Sequence, residues 1–286
     1  MGKEYKFSFV ILNYKTTHDT IECVESIKEN CKGYDFHIVI VDNASPNQSG
    51  KRLMEIYQNN PIVKVILSNE NLGFARGNNL GFEFAKKELH PDFIILCNSD
   101  TKILDSQFCQ KVIQKYQDSD FAVLGPKERL VDGSYYPLQE KVRSKVRIKL
   151  DIDTDKNILK TGKRTWKYRI FNRFYNTFIK SKRLDTNKEY ENIVLHGAFL
   201  IFSEKYIELF DGLNPVTFFY VEEEFLALRL QRKNLKSIYY PEIEILHKRK
   251  AATNTMNETE KNKFVLECRV DSNSKLLDAL NGKIEV

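Results

Sequence analysis

Four β-rich apolar runs alternate with helical segments over the first hundred residues, and this alternation limits the fold more than any other feature. The β-rich runs cover residues 7–12, 36–41, 62–67 and 93–97, and the helical segments cover 19–30, 51–59 and 73–89. Short apolar runs separated by helices of this length are typical of βαβ units and a parallel sheet. We therefore predict an α/β domain with a mostly parallel central sheet.

A polar residue follows each of the four runs. The residues are Asn13, Asp42, Asn71, Asn98 and Asp100. In open α/β sheets, ligands bind at the carboxyl edge of the strands, because loops and helix N-termini converge there. Asn and Asp also favour turns, so each position taken alone has two interpretations. Their recurrence over four strands favours a ligand site at this edge.

Length, composition and missing motifs exclude several classes of protein. The 286 residues suit one large α/β domain, and no apolar run approaches a membrane span or a signal peptide. Five scattered cysteines form no CxxC pair, which argues against a zinc site or a disulfide framework. The first strand lacks a following GxGxxG sequence, which argues against a nicotinamide dehydrogenase. We expect a cytoplasmic protein with reduced thiols.

A strongly basic segment interrupts the second half. Residues 141–183 carry fifteen Lys and Arg against three Asp. Within this basic insert, apolar residues recur at four-residue spacing: Trp166, Ile170, Phe174 and Phe178. They predict an amphipathic helix in 163–183, whose aromatic face and cationic rim suit an anionic membrane. The alternative is that this face packs on the rest of the domain or on a second subunit. Because the net charge of +6 is concentrated here and the ligand edge is acidic and amidic, we expect no nucleic-acid partner.

Other local patterns complete the outline. A turn signal at Asp132-Gly133 predicts a hairpin, and strand patterns cover 193–202, 237–240 and 243–246. We predict helices over 222–233 and in the tail from residue 257.

Two carboxylates at the sheet edge are candidates for binding. Asp100 can hold Mg²⁺ or Mn²⁺ together with substrate phosphates, or Asp100 or Asp105 can cap the following helix. Asp42 can accept the N3–H of a pyrimidine, or it can close a turn with Ser45.

Glycines and acids mark two further candidates. Gly73, Gly77 and Gly81 open a helix next to Arg76, which favours a bound diphosphate or close packing of helix on sheet. The acids Glu222, Glu223 and Glu224 begin a helix after an aromatic run. One of them can serve as a general base, or all three can stabilise the helix dipole. His247 ends a strand, as a structural residue or a metal ligand.

Taken in this order, the residues resemble an inverting glycosyltransferase of family 2, with the GT-A fold. The matching motifs are Phe9-Val10-Ile11-Leu12-Asn13-Tyr14, Val41-Asp42-Asn43-Ala44-Ser45, Asn71-Leu72-Gly73-Phe74-Ala75 with Asn79 and Gly81, Asn98-Ser99-Asp100-Thr101, Gly197-Ala198-Phe199, Phe218-Phe219-Tyr220-Val221-Glu222-Glu223, Leu228-Arg229-Leu230, Tyr240-Pro241-Glu242 and His247. The resemblance covers residues 5–250 and leaves out the basic insert and the tail. No single motif is decisive, whereas the ordered set is specific.

The resemblance implies a donor site. Asp42 would bind the base of a UDP- or dTDP-sugar, and Asn13 and Asn71 would line the same pocket. Arg76 and Asn79 would lie near the nucleoside and the diphosphate.

The resemblance also implies a metal site and a base. Asn98-Ser99-Asp100 takes the place of the DxD motif, with Asp100 on Mg²⁺ or Mn²⁺ and Asn98 near the ribose. His247 is the second candidate metal ligand. Glu223 matches the presumed base, and Glu222 is the fallback assignment.

The chain departs from the family pattern at two positions. Asn98 replaces the first acid of the DxD motif, as in a branch that includes rhamnosyltransferases of bacterial surface polysaccharides. Phe225 replaces a further acid that many relatives carry after the catalytic pair, which concerns acceptor binding and leaves the base in place.

Single-step inversion onto a hydroxyl of a glycan or a lipid-linked acceptor is the reaction that the resemblance implies. The process would be polysaccharide or capsule synthesis at the inner face of the cell membrane. The chain would divide into a nucleotide-sugar half, 1–125, a catalytic and acceptor half, 126–250, and a peripheral helical tail, 251–286. The alternatives are a sugar nucleotidyltransferase and a non-catalytic nucleotide-sugar-binding protein, and a homodimer is an alternative use of the insert.

Overall fold

A nine-stranded mixed sheet organises the part of the chain that the computed structural model describes, residues 3–178, 184–249 and 258–286. The strands are β1 Lys6–Asn13, β2 Asp35–Asp42, β3 Val63–Leu67, β4 Phe93–Asn98, β5 Thr101–Ile103, β6 Val123–Leu130, β7 Tyr190–Glu191, β8 Phe199–Ser203 and β9 Ser237–His247. The helices are α1 Thr17–Asn30, α2 Ser49–Tyr57, α3 Gly73–Phe84, α4 Phe108–Ser119, α5 Lys145–Thr161, α6 Trp166–Phe178, α7 Glu204–Ile207, α8 Glu222–Arg232 and α9 Glu258–Leu280.

The order of strands is β3-β2-β1-β4-β8-β6-β9-β5, and β7 pairs with β9. Strands β1 to β4 run parallel, as predicted, so their carboxyl ends share one edge. Strands β6 and β9 are also parallel, while β8 enters antiparallel between β4 and β6. The predicted α/β architecture is therefore confirmed, with antiparallel pairs added in its second half.

Helices cover both faces of the sheet. Alternate residues of β1 point to opposite sides: Phe7, Phe9 and Ile11 enter one apolar cluster, and Val10 enters the other. A strand buried on both faces reads as a continuous apolar run, which is why period-two alternation was absent from the sequence.

Two strand predictions in the second half were wrong in their bounds. The pattern at 193–202 forms a strand only over Phe199–Ser203, because the preceding residues leave the sheet toward α8. The patterns at 237–240 and 243–246 form one strand, β9. Its pairing with β6 shifts after Pro126, which pairs with Tyr240, whereas Lys127 pairs with Glu244. Proline has no N–H to donate, and such positions are typical of bulges.

The basic insert forms α5 and α6, and the predicted hairpin turn at Asp132-Gly133 is present. Helix α9 packs on α5 and α8 around a small apolar cluster that includes Ile148, Phe225 and Leu276. The part of the predicted amphipathic helix at 179–183 lies outside the described residues. Among the described residues, no helix combines the length and the apolar character needed to cross a bilayer.

Candidate active site

Asp42 ends β2 as a buried carboxylate with several donors. The side-chain amide of Asn13 donates to Oδ1 at 2.5 Å, and the N–H of Ser45 donates to Oδ2 at 3.0 Å. Ser49 Oγ also donates to Oδ1, at 3.2 Å. A Cβ on Gly50 would lie 2.4 Å from the Asp42 carboxyl carbon. The turn contact with Ser45 is thus present, and the whole cluster holds the carboxylate in one orientation at the sheet edge.

Asn71 belongs to a second cluster, which fixes the start of α3. Its Oδ1 accepts from the side-chain amide of Asn43 at 2.9 Å and from the N–H of Gly73 at 3.0 Å. Gly73 has a φ of +78°, and a Cβ there would lie 2.2 Å from the carbonyl oxygen of Phe218. Only glycine fits this position. Asn43 was not predicted as a site residue, although it directly follows Asp42.

The other glycines of α3 serve packing. A Cβ on Gly81 would lie 2.4 Å from Val10, and one on Gly77 would lie 2.8 Å from Leu12. The packing interpretation of these two glycines is therefore correct.

Arg76 and Asn79 contact the loop before α8. Arg76 Nε donates to the carbonyl of Pro215 at 2.9 Å. The side-chain amide of Asn79 both donates to and accepts from the backbone of Leu213, at 2.8 Å each. These contacts favour a structural role, and the donor-binding role that we predicted for both residues stays a prediction.

Asp100 and His247 face each other across the sheet edge. Asp100 is 7% exposed, and its Oδ1 lies 3.5 Å from His247 Nε2. Asp100 is followed by β5 instead of a helix, so the alternative that it caps a helix is wrong. Asn98 is half-buried at the end of β4, where its carbonyl accepts from Thr101 Oγ1.

A buried carboxylate holds the other side of His247. Glu128 on β6 accepts from His247 Nδ1 at 3.1 Å and from His196 Nδ1 at 2.9 Å. Burial alone would raise the pKa of the Glu128 carboxyl, but the two imidazoles hold it below its ordinary value. Burial alone would lower the pKa of His247, but Asp100 and Glu128 raise it to about 9. Glu128 and His196 were not predicted as site residues, because no local motif marks them.

Asp100 and His247 fit a divalent cation. They present a carboxylate oxygen and an imidazole nitrogen toward each other at 3.5 Å, and an ion held between them would displace the proton from Nε2 of His247. Carboxylate and imidazole together suit Mn²⁺, and carboxylate with substrate phosphates suits Mg²⁺.

The three acids at the start of α8 have different environments. Glu224 is buried, and Arg143 binds it through Nε at 2.8 Å and through its own backbone N–H at 2.7 Å. Glu222 is 6% exposed and accepts from Thr217 Oγ1 at 3.1 Å. Glu223 is less buried, lines a cleft of 1360 Å³, and accepts from the N–H of Gly197 at 3.3 Å. Glu224 also lines this cleft, but Arg143 occupies its carboxylate, so Glu223 is the acid of the three that is better placed to meet a substrate there.

Burial raises the pKa of Glu222 to about 8, and the neighbouring charge of Glu223 adds to this effect. Glu222 is therefore protonated at neutral pH.

The backbone before α8 is strained. Tyr220 and Val221 both have left-handed conformations, with φ of 76° and 63°. Such φ values are genuine outliers for a β-branched residue, and strain of this kind clusters at active sites.

A continuous series of contacts connects the separate parts of this edge. The first series of side-chain contacts joins Asp42, Asn13, Thr16 and Ser99. The second begins at Asp100, the next residue in the chain, and joins His247, Glu128 and His196. Gly197, which follows His196, contacts Glu223. The site is therefore built from four strands and two helix starts that lie far apart in the sequence.

Solved structures show the same fold. The chain aligns over 93% of its length with GalNAc-T7 in complex with UDP, GalNAc and Mn²⁺, at a TM-score of 0.59 and 14% identity, and it covers 48% of that chain. It aligns over 99% of its length with the mannosyltransferase PcManGT of Pyrobaculum calidifontis in complex with GDP-Man and Mn²⁺, at a TM-score of 0.55 and 11% identity, covering 77% of that chain. These neighbours are GT-A transferases, so the expected GT-A fold is confirmed.

Sequence comparison gives the family. A curated relative, the low-salt glycan biosynthesis hexosyltransferase Agl10 of Haloferax volcanii, is 23% identical over 133 residues, which are 46% of this chain. The match spans only 39% of that relative's length. The model of glycosyl transferase family 2 matches residues 8–210, well over half of the chain. The chain therefore belongs to glycosyl transferase family 2.

Proposed function

We propose that this protein transfers a sugar, with inversion, from a UDP- or dTDP-sugar to a hydroxyl group of a glycan or lipid-linked acceptor. The observation that carries the proposal is the series of contacts that connects Asp42, the Asp100–His247 pair and Glu223 along one sheet edge. Asp42 supplies an acceptor for a pyrimidine N3–H. A dTDP-rhamnose donor and a role in surface polysaccharide synthesis rest on the Asn98-Ser99-Asp100 sequence alone.

Glu223 removes the proton from the acceptor hydroxyl. The N–H of Gly197 holds its carboxylate at the wall of the cleft. Glu222 next to it has a pKa raised to about 8 by burial, so its carboxyl is largely neutral near pH 7. A Mg²⁺ or Mn²⁺ ion held by Asp100 and His247 would neutralise the charge that develops on the leaving diphosphate.

The base assignment is tested by replacing Glu223 with Gln. A general base contributes about 10²–10⁴-fold, so we expect kcat to fall by that factor in Glu223→Gln while the donor still binds. Isothermal titration with UDP and a product assay with a panel of sugar nucleotides measure the two quantities. If Glu222→Gln loses turnover and Glu223→Gln does not, the base is Glu222.

Two other functions make different predictions. A non-catalytic nucleotide-sugar-binding protein, which Asn98 in the DxD position favours, would bind UDP-sugars without transfer or hydrolysis. A sugar nucleotidyltransferase would form a sugar nucleotide from a sugar phosphate and a nucleoside triphosphate. Slow hydrolysis of a donor in Mn²⁺, with no reaction from a nucleoside triphosphate, supports the transferase.

The outer face of α6 supports contact with an anionic membrane. Trp166 and Ile170 are 67% and 60% exposed, one helical turn apart. Exposed cations surround them: Lys163, Lys167 and Arg169. On the inner face, Tyr168 and Phe171 line the same cleft as Glu223. Such a helix at a bilayer surface would bring a lipid-linked acceptor close to the base.

Binding to vesicles tests this contact. Each cation near an anionic bilayer contributes about 1 kcal/mol, so replacing Lys163, Lys167 and Arg169 together by Gln should weaken binding to phosphatidylserine vesicles roughly 100-fold. Neutral vesicles serve as the control. If Trp166→Ala changes the oligomeric state in sedimentation and leaves vesicle binding intact, this face is instead a contact between two copies.

A further inference from the structure

One buried carboxylate, which has no role in the proposed reaction, lies between two imidazole rings. Glu128 is 5% exposed on β6, with His247 Nδ1 at 3.1 Å and His196 Nδ1 at 2.9 Å. The ring of His196 stacks on Tyr136, with 3.6 Å between centroids. Glu128 thus joins β9, which carries His247, to the segment before β8, which carries His196.

The chemistry of the three groups fixes the direction of these hydrogen bonds. An ionised carboxylate only accepts, so both imidazoles present Nδ1–H to Glu128. The remaining nitrogen of His247, Nε2, faces Asp100 Oδ1 at 3.5 Å. A metal-binding histidine generally donates its second ring N–H to a carboxylate, which sets its tautomer and orientation.

We propose that Glu128 is a positioning residue of the metal site: it accepts the Nδ1–H of His247 and so directs Nε2 of that ring toward a cation shared with Asp100. Its second bond, from His196, anchors the carboxylate and ties the metal site to the loop whose Gly197 contacts Glu223. This inference rests on the metal site of the proposed function.

In an alternative arrangement, Glu128 and the two histidines bind the ion directly, which makes a different prediction for His196. The ligand atoms of Glu128, His196 and His247 lie within 4.8 Å of one another and could themselves surround an ion. In that arrangement, His196 would be a ligand as important as His247. In ours, His196 only supports Glu128. The hydrogen bonds of 2.9 and 3.1 Å that already occupy the carboxylate favour the positioning role.

Direct measurement of Mn²⁺ affinity separates the two arrangements. Free Mn²⁺ is followed by electron paramagnetic resonance in titrations of the full chain, with and without saturating UDP. The variants are Glu128→Gln, Glu128→Ala, His196→Asn and His247→Asn. Glu244→Gln is the matched control, because Glu244 is a carboxylate on β9 whose ion-pair partners are Lys127 and Arg129. Thermal melting without metal shows that each variant folds.

We expect Glu128→Ala to weaken Mn²⁺ binding about 10–100-fold, as outer-shell partners of metal ligands typically do. Glu128→Gln keeps one carbonyl oxygen for two N–H donors, so its loss should be smaller but clear, about tenfold. His196→Asn should stay within about threefold of wild type, His247→Asn should lose binding, and Glu244→Gln should bind normally. If Glu128→Ala does not fold, Glu128→Gln decides.

Three results would overturn the inference. Wild-type affinity in Glu128→Gln would show that the carboxylate does not support the metal site. A loss in His196→Asn equal to that in His247→Asn would assign the ion to the three-residue cluster instead. A wild-type chain that binds UDP but no Mn²⁺ would remove the metal site itself, and with it this role of Glu128, while the donor site of the proposed function would stand.

Discussion

At the scale of single residues, burial changes the pKa of one acid at the start of α8, Glu222. Glu222 lies in the first turn of α8 with 6% of its surface exposed, and Thr217 donates to it. Burial, assisted by the charge of Glu223, raises its pKa from 4.5 to about 8. The carboxyl of Glu222 is therefore largely neutral at pH 7.

This pKa predicts how stability depends on pH. Above pH 4.5 the unfolded chain releases the proton of Glu222, whereas the folded chain keeps it until about pH 8. The contribution of this group to the free energy of unfolding is therefore complete below pH 4.5, falls as pH rises toward 8, and is lost above it. Because Gln stays neutral, Glu222→Gln should become more stable than wild type over this window, by on the order of a few kcal/mol.

Urea unfolding at pH 5, 7 and 8.5 measures the difference. Glu208→Gln, which changes an exposed glutamate, is the control and should show no trend with pH. An unchanged difference between Glu222→Gln and wild type at all three values would mean that Glu222 has an ordinary pKa.

The sequence predicts which polar residues follow the parallel strands, and it does not predict contacts that depend on strand register. Asp42, Asn13 and Asp100 are predictable, because the carboxyl ends of parallel strands share one edge. Glu128 contacts His247 only because β6 and β9 pair in a shifted register after Pro126, which no local pattern encodes. His196 lies in a segment whose apolar pattern resembles a strand.

At the scale of elements, an ion-pair network ties the basic insert to the helix that carries the candidate base. Arg143, just before α5, binds Glu224 on α8, Asp151 on α5 and Asn273 on α9. The sequence shows this segment only as an excess of positive charge. In the structure, part of that charge is neutralised by buried acids, so the insert is anchored at the cleft.

Breaking this network on one side should strongly destabilise the protein. Glu224→Ala leaves Arg143 largely buried with one partner fewer, and loss of one member of a buried pair typically costs about 3–5 kcal/mol. The double variant Arg143→Met/Glu224→Leu should recover part of this loss, because apolar residues can replace a buried pair. Urea unfolding measures both.

The half-exposed pair of Glu244 and Arg129 is the comparison, and Glu244→Gln should cost less than about 1 kcal/mol. If Glu224→Ala costs no more than that, the network does not anchor α8.

At the scale of the whole molecule, the candidate donor site spans both halves of the sheet. Asn13 and Asp42 belong to the parallel first half, and His247 belongs to β9 in the second half. Asp100 lies between them, where it faces His247. The predicted division at residue 125 stays a prediction, but it falls between the strands that would hold the base of the nucleotide and the strand that holds His247.

A nucleotide bound with its metal should therefore stabilise the chain more than either component alone. A ligand at 100 times its Kd adds about 2.7 kcal/mol to the free energy of unfolding. We expect UDP and Mn²⁺ together to raise Tm by more than the sum of their separate effects, because the diphosphate completes the cation's ligands and the cation neutralises the diphosphate.

Asp100→Asn should abolish this excess and keep the smaller effect of UDP alone, since Asp42 and Asn13 are unchanged. GDP, whose purine lacks the pyrimidine N3–H geometry, should give a smaller shift than UDP. Differential scanning fluorimetry of the wild type and the variant measures all of these shifts, and strictly additive effects of UDP and Mn²⁺ would show that the two do not share a site.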